Sequence, residues 1–133
     1  MGLARDTLEA VWARIGAGDL PGAAAYVADD VQVQDGPLTF DNRADFWHSL
    51  SEFSAGFSHL QWTPVNWIEA GDVAVAEVVF SAMHSGRYLG KAPTGRTISI
   101  REAVVVQVSN DGLITHWRSY PDALSLSGQI GVL

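Results

Sequence analysis

His84-Ser-Gly-Arg-Tyr-Leu-Gly-Lys-Ala-Pro-Thr-Gly-Arg96 is the stretch that decides the fold, because it separates two long runs rich in β-branched residues. The first run ends near Met83, and the second extends from Thr97 to Val108. Glycine allows positive φ and proline pre-sets a turn, so the segment between the runs bends the chain back. The pattern predicts two long antiparallel strands, 73–83 and 97–108, joined by a bent hairpin. We expect these strands to form the wall of any cavity.

Before this hairpin, the sequence predicts three helices and two strands. Asp6-Thr7-Leu8-Glu9 is a capping-box pattern, with an acidic cap and a Glu three residues later. Pro64 interrupts an otherwise strand-like segment, which favours an edge strand or a bulge. In chain order, the predicted elements are a helix from the Asp6 cap to Gly16, a short helix from the Asp19 cap to Val27, a strand at 31–35, a helix from the Asp41 cap to about Ser54, and a strand at 60–69.

After the hairpin, Asn110-Asp111-Gly112 predicts a tight turn into a last strand, Leu113 to Tyr120, and a short tail. Helices followed by several strands with short turns are typical of an α+β fold. We therefore expect one domain over residues 1–133, with a curved antiparallel β-sheet packed on the N-terminal helices. A strongly curved sheet over a long helix leaves a pocket between the two layers.

Composition restricts the function classes. The chain of 133 residues has the length of one domain and contains no cysteine, which excludes disulfides and thiolate chemistry. A net charge of −7 and a single lysine, Lys91, argue against nucleic acid and anionic membranes as partners. No apolar run reaches the roughly 20 residues that span a bilayer, and no apolar signal region is visible. We expect a soluble, cytoplasmic protein.

Short motifs follow one another in the order and spacing of a known family. His84, Gly86, Gly90, Pro93 and Thr94 match the pattern His-x-Gly-x-x-x-Gly-x-x-Pro-Thr. The later matches are Asp111-Gly112-x-Ile114, Arg118-Ser119-Tyr120-Pro121-Asp122 and Gln129-Ile130-Gly131. With these motifs the chain resembles the SnoaL-like polyketide cyclases, relatives of nuclear transport factor 2 and ketosteroid isomerase. The resemblance implies their cone-shaped, cystatin-like α+β barrel, which encloses a pocket.

The same resemblance indicates where catalytic residues would lie, and several of these positions differ here. SnoaL-like cyclases and limonene-epoxide hydrolases carry an acid/base Asp at the position of Ser119. The partner His of the cyclases falls near Val104, and the Arg-x-Asp pair of the epoxide hydrolases falls near Ser85 and Arg87. Neither catalytic set is therefore intact in this chain.

Two carboxylates are candidate acid/base residues. Ketosteroid isomerase has a base Asp five residues after an Asp-Asp pair, and Asp35 stands five residues after Asp30. A carboxylate that enters an apolar pocket gains basicity by desolvation, although Asp before Gly-Pro also caps turns. If Val104 faces the cavity, as the resemblance implies, Glu102 does so too, by the two-residue period of a strand. The alternative for Glu102 is a solvent-facing side chain paired to an Arg.

Two residues of the hairpin are further catalytic candidates. Arg87 matches a family position and could hold a carboxylate, enolate or phenolate in fork geometry, or could pair with Glu102 or Glu77 at the rim. His84 matches the family motif and could transfer a proton near pH 7. The alternative for His84 is a structural role, bonded to backbone or at a dimer contact.

The candidate substrate-binding residues are mostly aromatic. Trp117 and Ser119 share the inward face of the last strand, where the indole gives a flat apolar wall and the hydroxyl can orient a water or a substrate. Core packing is the alternative role for Trp117. The remaining candidates in this group are Tyr120, Trp47 and Phe53.

We expect neither a cofactor nor a metal. No phosphate-binding glycine loop is present, and the spacing of the histidines suggests no metal site. The resemblance implies a homodimer that packs sheet on sheet, for which Val75, Val105 and Trp67 on the outer face would be suitable.

Two functions remain open at this stage. The first is a SnoaL-like cyclase or isomerase that acts on a small hydrophobic or polycyclic intermediate of secondary metabolism. Asp35 or Glu102 would take a proton, and Arg87, with Ser119 or His84, would stabilise the oxyanion. The second is a non-catalytic ligand-binding or dimerisation module, which the missing family Asp and His favour.

Overall fold

Six strands form one curved, unclosed sheet that carries the helices on its inner face, in a computed structural model that describes residues 2–132. In chain order, the strands are β1 (Val27–Asp35), β2 (Leu38–Phe40), β3 (Phe57–Ala70), β4 (Val73–His84), β5 (Thr97–Val108) and β6 (Ile114–Pro121). The helices are α1 (Leu3–Gly16), α2 (Leu20–Ala24), α3 (Arg43–Gly56) and α4 (Ala123–Ile130). The predicted α+β class is confirmed.

The strand order in the sheet is β2-β1-β6-β5-β4-β3. The long β4–β5 ladder runs without interruption from Val73 opposite Gln107 to Met83 opposite Thr97, which confirms the bent hairpin as its connection. The neighbouring pairs are antiparallel except β1 and β6, which run parallel. The parallel pair brings the last residue of β1 beside the end of β6, and this arrangement positions the site described below.

The inner face of the sheet is apolar because every second residue of the central strands is buried. Helix α1 lies across this face with Leu8 and Val11, both fully buried, in the main core cluster. Ala74 and Ala76 belong to the same cluster, and their small side chains leave room for the larger residues of the helix. Full burial of one Leu or Val contributes about 1.5–3 kcal/mol.

Several element boundaries differ from the sequence prediction. Helix α1 begins at Leu3 after the cap residue Gly2, so Asp6 lies in its first turn and does not cap it. The third helix is capped by Asn42 rather than Asp41, because the Asn42 side chain accepts a hydrogen bond from the backbone N–H of Asp45. Strand β2 and helix α4 were predicted as turn and tail, since both are short. The α4 cap is Asp122, whose side chain accepts the N–H of Ser125.

The prediction that Trp67 lies on the outer face is wrong. β3 is the edge strand, and its register with β4 shifts between Pro64 and Asn66. This bulge changes which residues share a face, so Trp62 and Trp67, five residues apart, both contact Trp12 of α1. The outer face carries Ile68, Val75 and Val105 instead, whose positions are cross-strand neighbours.

No helix within residues 2–132 combines the length and the hydrophobicity that membrane crossing requires.

Candidate active site

Asp35 and Glu102 both lie on the inner face, on strands separated by β6. Asp35 ends β1 directly opposite Ser119 of β6, and Ser119 in turn lies opposite Val104 of β5. Glu102 is two residues from Val104 and therefore faces the same side. The predicted inward orientation of both carboxyl groups agrees with this register.

Burial shifts the pKa of both carboxyl groups, and the charge of Asp35 also acts on Glu102. Burial raises the pKa of Asp35 above its usual value. Burial also raises the pKa of Glu102 to about 7, with a smaller contribution from the negative charge of Asp35, while a hydrogen bond with Trp62 acts in the opposite direction. Near pH 7, Glu102 is therefore about half protonated, and the Asp35 carboxyl group faces the same side of the sheet. One group can donate a proton and the other can accept one.

Tyr88 is a third polar group of this site, and the sequence analysis did not identify it. Burial and the charge of Asp35 both raise the pKa of the Tyr88 phenol, which keeps it a hydrogen-bond donor. Its ring packs edge-on against Phe57 and Phe53, with centroids 5.0 and 5.5 Å away. A tight turn holds the residue, since Tyr88 and Lys91 exchange backbone hydrogen bonds. The sequence feature that could have identified Tyr88 is its position in the hairpin between β4 and β5.

Trp117 and Ser119 are both buried and are bonded to each other. The Trp117 indole N–H donates to Ser119 Oγ at 2.5 Å. The hydroxyl proton of Ser119 can therefore be donated elsewhere, beside Asp35. The Trp117 ring packs edge-on against Phe46 at 5.5 Å, so it belongs to the core as well as to the inner face.

Of the other predicted binding residues, the structure brings Phe53 to the site and leaves two elsewhere. Phe53 stacks on Phe57 at 4.6 Å, beside Tyr88. The Trp47 indole N–H donates to the carbonyl of Leu20, which ties α3 to α2. Tyr120 is 49% exposed on the outer face, because it alternates with the inward Ser119.

His84 secures the base of the hairpin. It is fully buried, and its Nδ1 accepts the backbone N–H of Thr94 and lies 3.0 Å from Thr94 Oγ1. Its backbone groups bond to Gly95 and Arg96 on the opposite side of the hairpin. These contacts favour the structural alternative for this residue.

Arg87 points out of the site. Its side chain is exposed and donates to the carbonyl of Gly90 at 2.7 Å, within its own turn. Within residues 2–132 it forms no ion pair with Glu77 or Glu102, and Glu77 instead accepts a hydrogen bond from Asn66. The ion pair predicted as one alternative for Arg87 is therefore absent from the described residues.

Two of the cavities among residues 2–132 flank the sheet, and neither has Asp35 or Glu102 in its lining. One of about 310 Å³ lies between α1 and β3 and includes Trp12 and Trp62 in its lining. The other, of about 540 Å³, is lined largely by polar side chains of β1 and β6, among them Gln34 and His116, which face away from the carboxyl pair. In the described part of the chain, no three His, Cys, Asp or Glu side chains form a metal-binding group.

A family model identifies the family, and solved structures show the same fold. The family model described as SnoaL-like polyketide cyclase matches residues 2–130. A solved structure of a proposed SnoaL-like polyketide cyclase from Jannaschia sp. CCS1 is 16% identical over 98% of this chain and 93% of that chain, with a TM-score of 0.87. IdmH, a proposed polyketide cyclase from Streptomyces antibioticus, is 20% identical over 96% of this chain and 98% of its own, with a TM-score of 0.84.

AclR from Streptomyces galilaeus, a proposed hydroxylase, has the same fold. It is 18% identical over 98% of this chain and 82% of its own, with a TM-score of 0.87. At these identities the structural likeness establishes the fold, and the differing activities of the neighbours show that one fold serves several reactions. Among curated proteins, none matches this sequence.

Proposed function

Because the chain belongs to the SnoaL-like polyketide cyclase family, we propose that it is a cofactor-independent cyclase or isomerase that works by general acid–base chemistry. Its substrate is a small hydrophobic or polycyclic ketone of the kind that polyketide-type ring closure consumes. The observation that carries the proposal is the Asp35–Glu102 pair on the inner face. Burial raises the pKa of both groups, and a pKa of about 7 suits Glu102 to donate a proton near neutral pH.

In the proposed reaction, the Asp35 carboxylate removes a proton from the carbon next to a substrate carbonyl. The resulting enolate attacks a second carbonyl of the same molecule, and a new C–C bond closes the ring. Glu102, in its neutral form, donates its proton to the oxygen of the attacked carbonyl. Transfer of the proton from Asp35 through water returns Glu102 to its neutral form, so no proton or electron is gained or lost overall.

Hydroxyl donors would stabilise the enolate oxygen. Ser119 lies opposite Asp35 and can donate its own hydroxyl proton, because it accepts the Trp117 indole N–H. Tyr88 is a second donor on the other side of the site. This assignment replaces the roles expected for Arg87 and His84, whose hydrogen bonds lie within the hairpin.

The test is enolisation itself, which does not require the natural substrate. Purified protein is mixed with a panel of aromatic and polycyclic ketones in D₂O, and deuterium entry at the carbon next to the carbonyl is followed by NMR. Exchange above the buffer rate on one chemical class, lost in Asp35→Asn, is expected. Asp30→Asn is the matched control, because Asp30 is an exposed residue of the same strand. Equal exchange by wild type and Asp35→Asn would overturn the assignment.

The alternative is a ligand-binding or dimerisation module without catalysis. It is favoured by Ser119 and Val104, which stand where the family's catalytic Asp and His are expected. In that case ketones bind tightly, but the protons on the carbon next to the carbonyl exchange with solvent at the buffer rate.

We also propose that a second copy of the chain covers the outer face of the sheet. Ile68 is 56% exposed there, next to Val75 and Val105 on neighbouring strands. Apolar side chains on a sheet face without helices favour contact with another sheet.

A further inference from the structure

We propose that Gly56 and Gly86 are positioning residues, which fix the Tyr88 hydroxyl inside the site through a direct backbone contact between the end of α3 and the hairpin. The inference rests on the proposed function, in which Tyr88 donates to the enolate oxygen. It deepens that function, because it assigns the position of the donor to two residues that have no side chain.

Backbone hydrogen bonds join the hairpin to α3. The Gly56 carbonyl accepts the N–H of Ser85 at 3.1 Å and the N–H of Gly86 at 3.0 Å. These bonds follow directly on the end pair of the β3–β4 ladder, Phe57 opposite His84. The hairpin therefore leaves the sheet already attached to the last residue of α3.

Gly86 provides the space for this contact. A Cβ atom at position 86 would lie 2.0 Å from the carbonyl oxygen of Ala55 and 3.2 Å from Cα of Gly56. The φ of Gly86 lies outside the left-handed region, so the glycine serves close approach rather than a turn conformation. A side chain at this position would separate the hairpin from α3.

Gly56 places Tyr88 directly on the backbone of the helix. A Cβ atom at position 56 would lie 3.0 Å from Tyr88 Cβ and 3.2 Å from the carbonyl oxygen of Arg87. Phe53 and Phe57, on either side of Gly56 in the sequence, pack edge-on against the Tyr88 ring, with centroids 5.5 and 5.0 Å away. Residues 53–57 thus supply the floor and two walls for this ring.

The turn that follows Tyr88 does not hold this geometry by itself. Leu89 lies between Tyr88 and Lys91, which are joined by backbone hydrogen bonds, and its φ of 49° is in the left-handed region that side chains disfavour. Leu89 is also 66% exposed, so burial of its side chain does not offset that cost. We attribute the stability of the turn to its contact with α3.

An oxyanion donor requires a fixed position. Preorganised donors stabilise negative charge without rearrangement, and small displacements reduce the rate strongly. Burial and the charge of Asp35 raise the pKa of Tyr88, so the phenol lies within electrostatic reach of the proposed base. The position of this phenol is the property that the two glycines determine.

The experiment adds one methyl group beneath Tyr88. Gly56 is the last residue of α3 and its φ is not positive, so Gly56→Ala suits the helix and crowds Tyr88 and Arg87 instead. For the ketone that wild type exchanges best, kcat should fall roughly tenfold while KM stays within about twofold. The Tyr88 phenol, followed by NMR with ¹³C at Cζ of tyrosine, should titrate at lower pH, because the displaced ring is less buried.

Gly16→Ala is the matched control. Gly16 is the last residue of α1, and its added Cβ would approach the carbonyl oxygen of Leu60 at 3.3 Å, a similar crowding away from the site. This variant should change neither kcat nor the Tyr88 titration. Gly86→Ala introduces a stronger clash and should mainly lower Tm, so the decision rests on Gly56→Ala.

Tyr88→Phe separates positioning from a general loss of stability. Without the hydroxyl there is no donor to displace, so adding Gly56→Ala to Tyr88→Phe should lower kcat by less than about twofold. A tenfold loss in both backgrounds would overturn the inference. A wild-type kcat or an unchanged Tyr88 titration in Gly56→Ala would overturn it as well.

The two proposals fail in different ways. If wild type exchanges no ketone above the buffer rate, the acid–base function is wrong, and the Tyr88 titration in Gly56→Ala still tests the positioning. If wild type exchanges ketones and Gly56→Ala does so equally well, the positioning inference is wrong and the acid–base function remains.

Discussion

Asp35, the last residue of β1, lies directly opposite Ser119 of β6 in a parallel ladder, and both face the helices. Ser119 is the position at which the family resemblance implies an acid/base Asp. This chain therefore has a carboxyl group on the strand next to the expected one. The geometry suggests that a neighbouring strand can supply the same chemical group to the same inner space.

This relationship predicts that a carboxyl group at position 119 can replace the one at position 35. Asp35→Asn should lower α-proton exchange by about 10²-fold or more, the usual contribution of a general base. Adding Ser119→Asp to Asp35→Asn should restore part of kcat/KM. Ser119→Asn in the same background is the control, because it has the size of Asp but no basic carboxylate. Equal activity of the two double variants would contradict the prediction.

The raised pKa of Glu102 predicts a basic limb in the pH profile of the rate. Its pKa of about 7 means that the neutral, proton-donating form decreases as pH rises through 7. The rate that depends on the donor should therefore fall above pH 7, and Glu102→Gln should remove that limb together with most of the activity. Rates measured between pH 5 and 9 give the profile. Glu77→Gln, on the outer face of β4, should leave it unchanged.

The same pKa makes stability depend on pH. Glu102 binds its proton more tightly in the folded state, because its pKa is raised from 4.5 to about 7. This contribution to stability is complete below the unfolded value and is lost as pH rises through about 7. Glu102→Gln should therefore flatten the dependence of Tm on pH between 4.5 and 8. A slope equal to that of wild type would contradict this.

His84 is expected to stabilise the hairpin. His84→Leu removes the acceptor of the Thr94 N–H and should lower the free energy of unfolding by about 1–3 kcal/mol. The hairpin around Tyr88 should become less ordered in this variant. Activity should therefore decline, and the Tyr88 amide should exchange faster with solvent. His116→Leu, at an exposed position of β6, should change neither. Denaturant unfolding and hydrogen exchange provide the measurements.

Introducing a charged residue on the outer face of the sheet tests the proposed dimer. Ile68→Glu should convert the protein to a monomer, because a carboxylate cannot be buried without a partner in an apolar contact. Leu124→Glu alters an apolar residue of α4 that is 69% exposed and lies outside the patch of Ile68, Val75 and Val105, so it should leave the mass of the assembly unchanged. Sedimentation of both variants at several concentrations decides the question.

The order of most elements could be predicted from the sequence because local rules determine it. β-Branched residues with a period of two indicated β4 and β5, and the glycines and proline between them indicated the hairpin. The inward orientation of the Glu102 side chain followed from the two-residue alternation of a regular strand, once Val104 was taken to face inward. Pro64 indicated the edge strand or bulge that the structure contains, but it did not show which residues change face, and Trp67 was misplaced for that reason.

By itself, the sequence determined the fold class and the long hairpin. These features depend on periodicity and turn residues, which act between neighbours in the chain. Only the tertiary structure decided that Asp35 lies beside Ser119 and near Glu102, and that Tyr88 joins them. Such proximity depends on strand order and sheet curvature, which bring together residues far apart in sequence, and the shared burial then sets their pKa values.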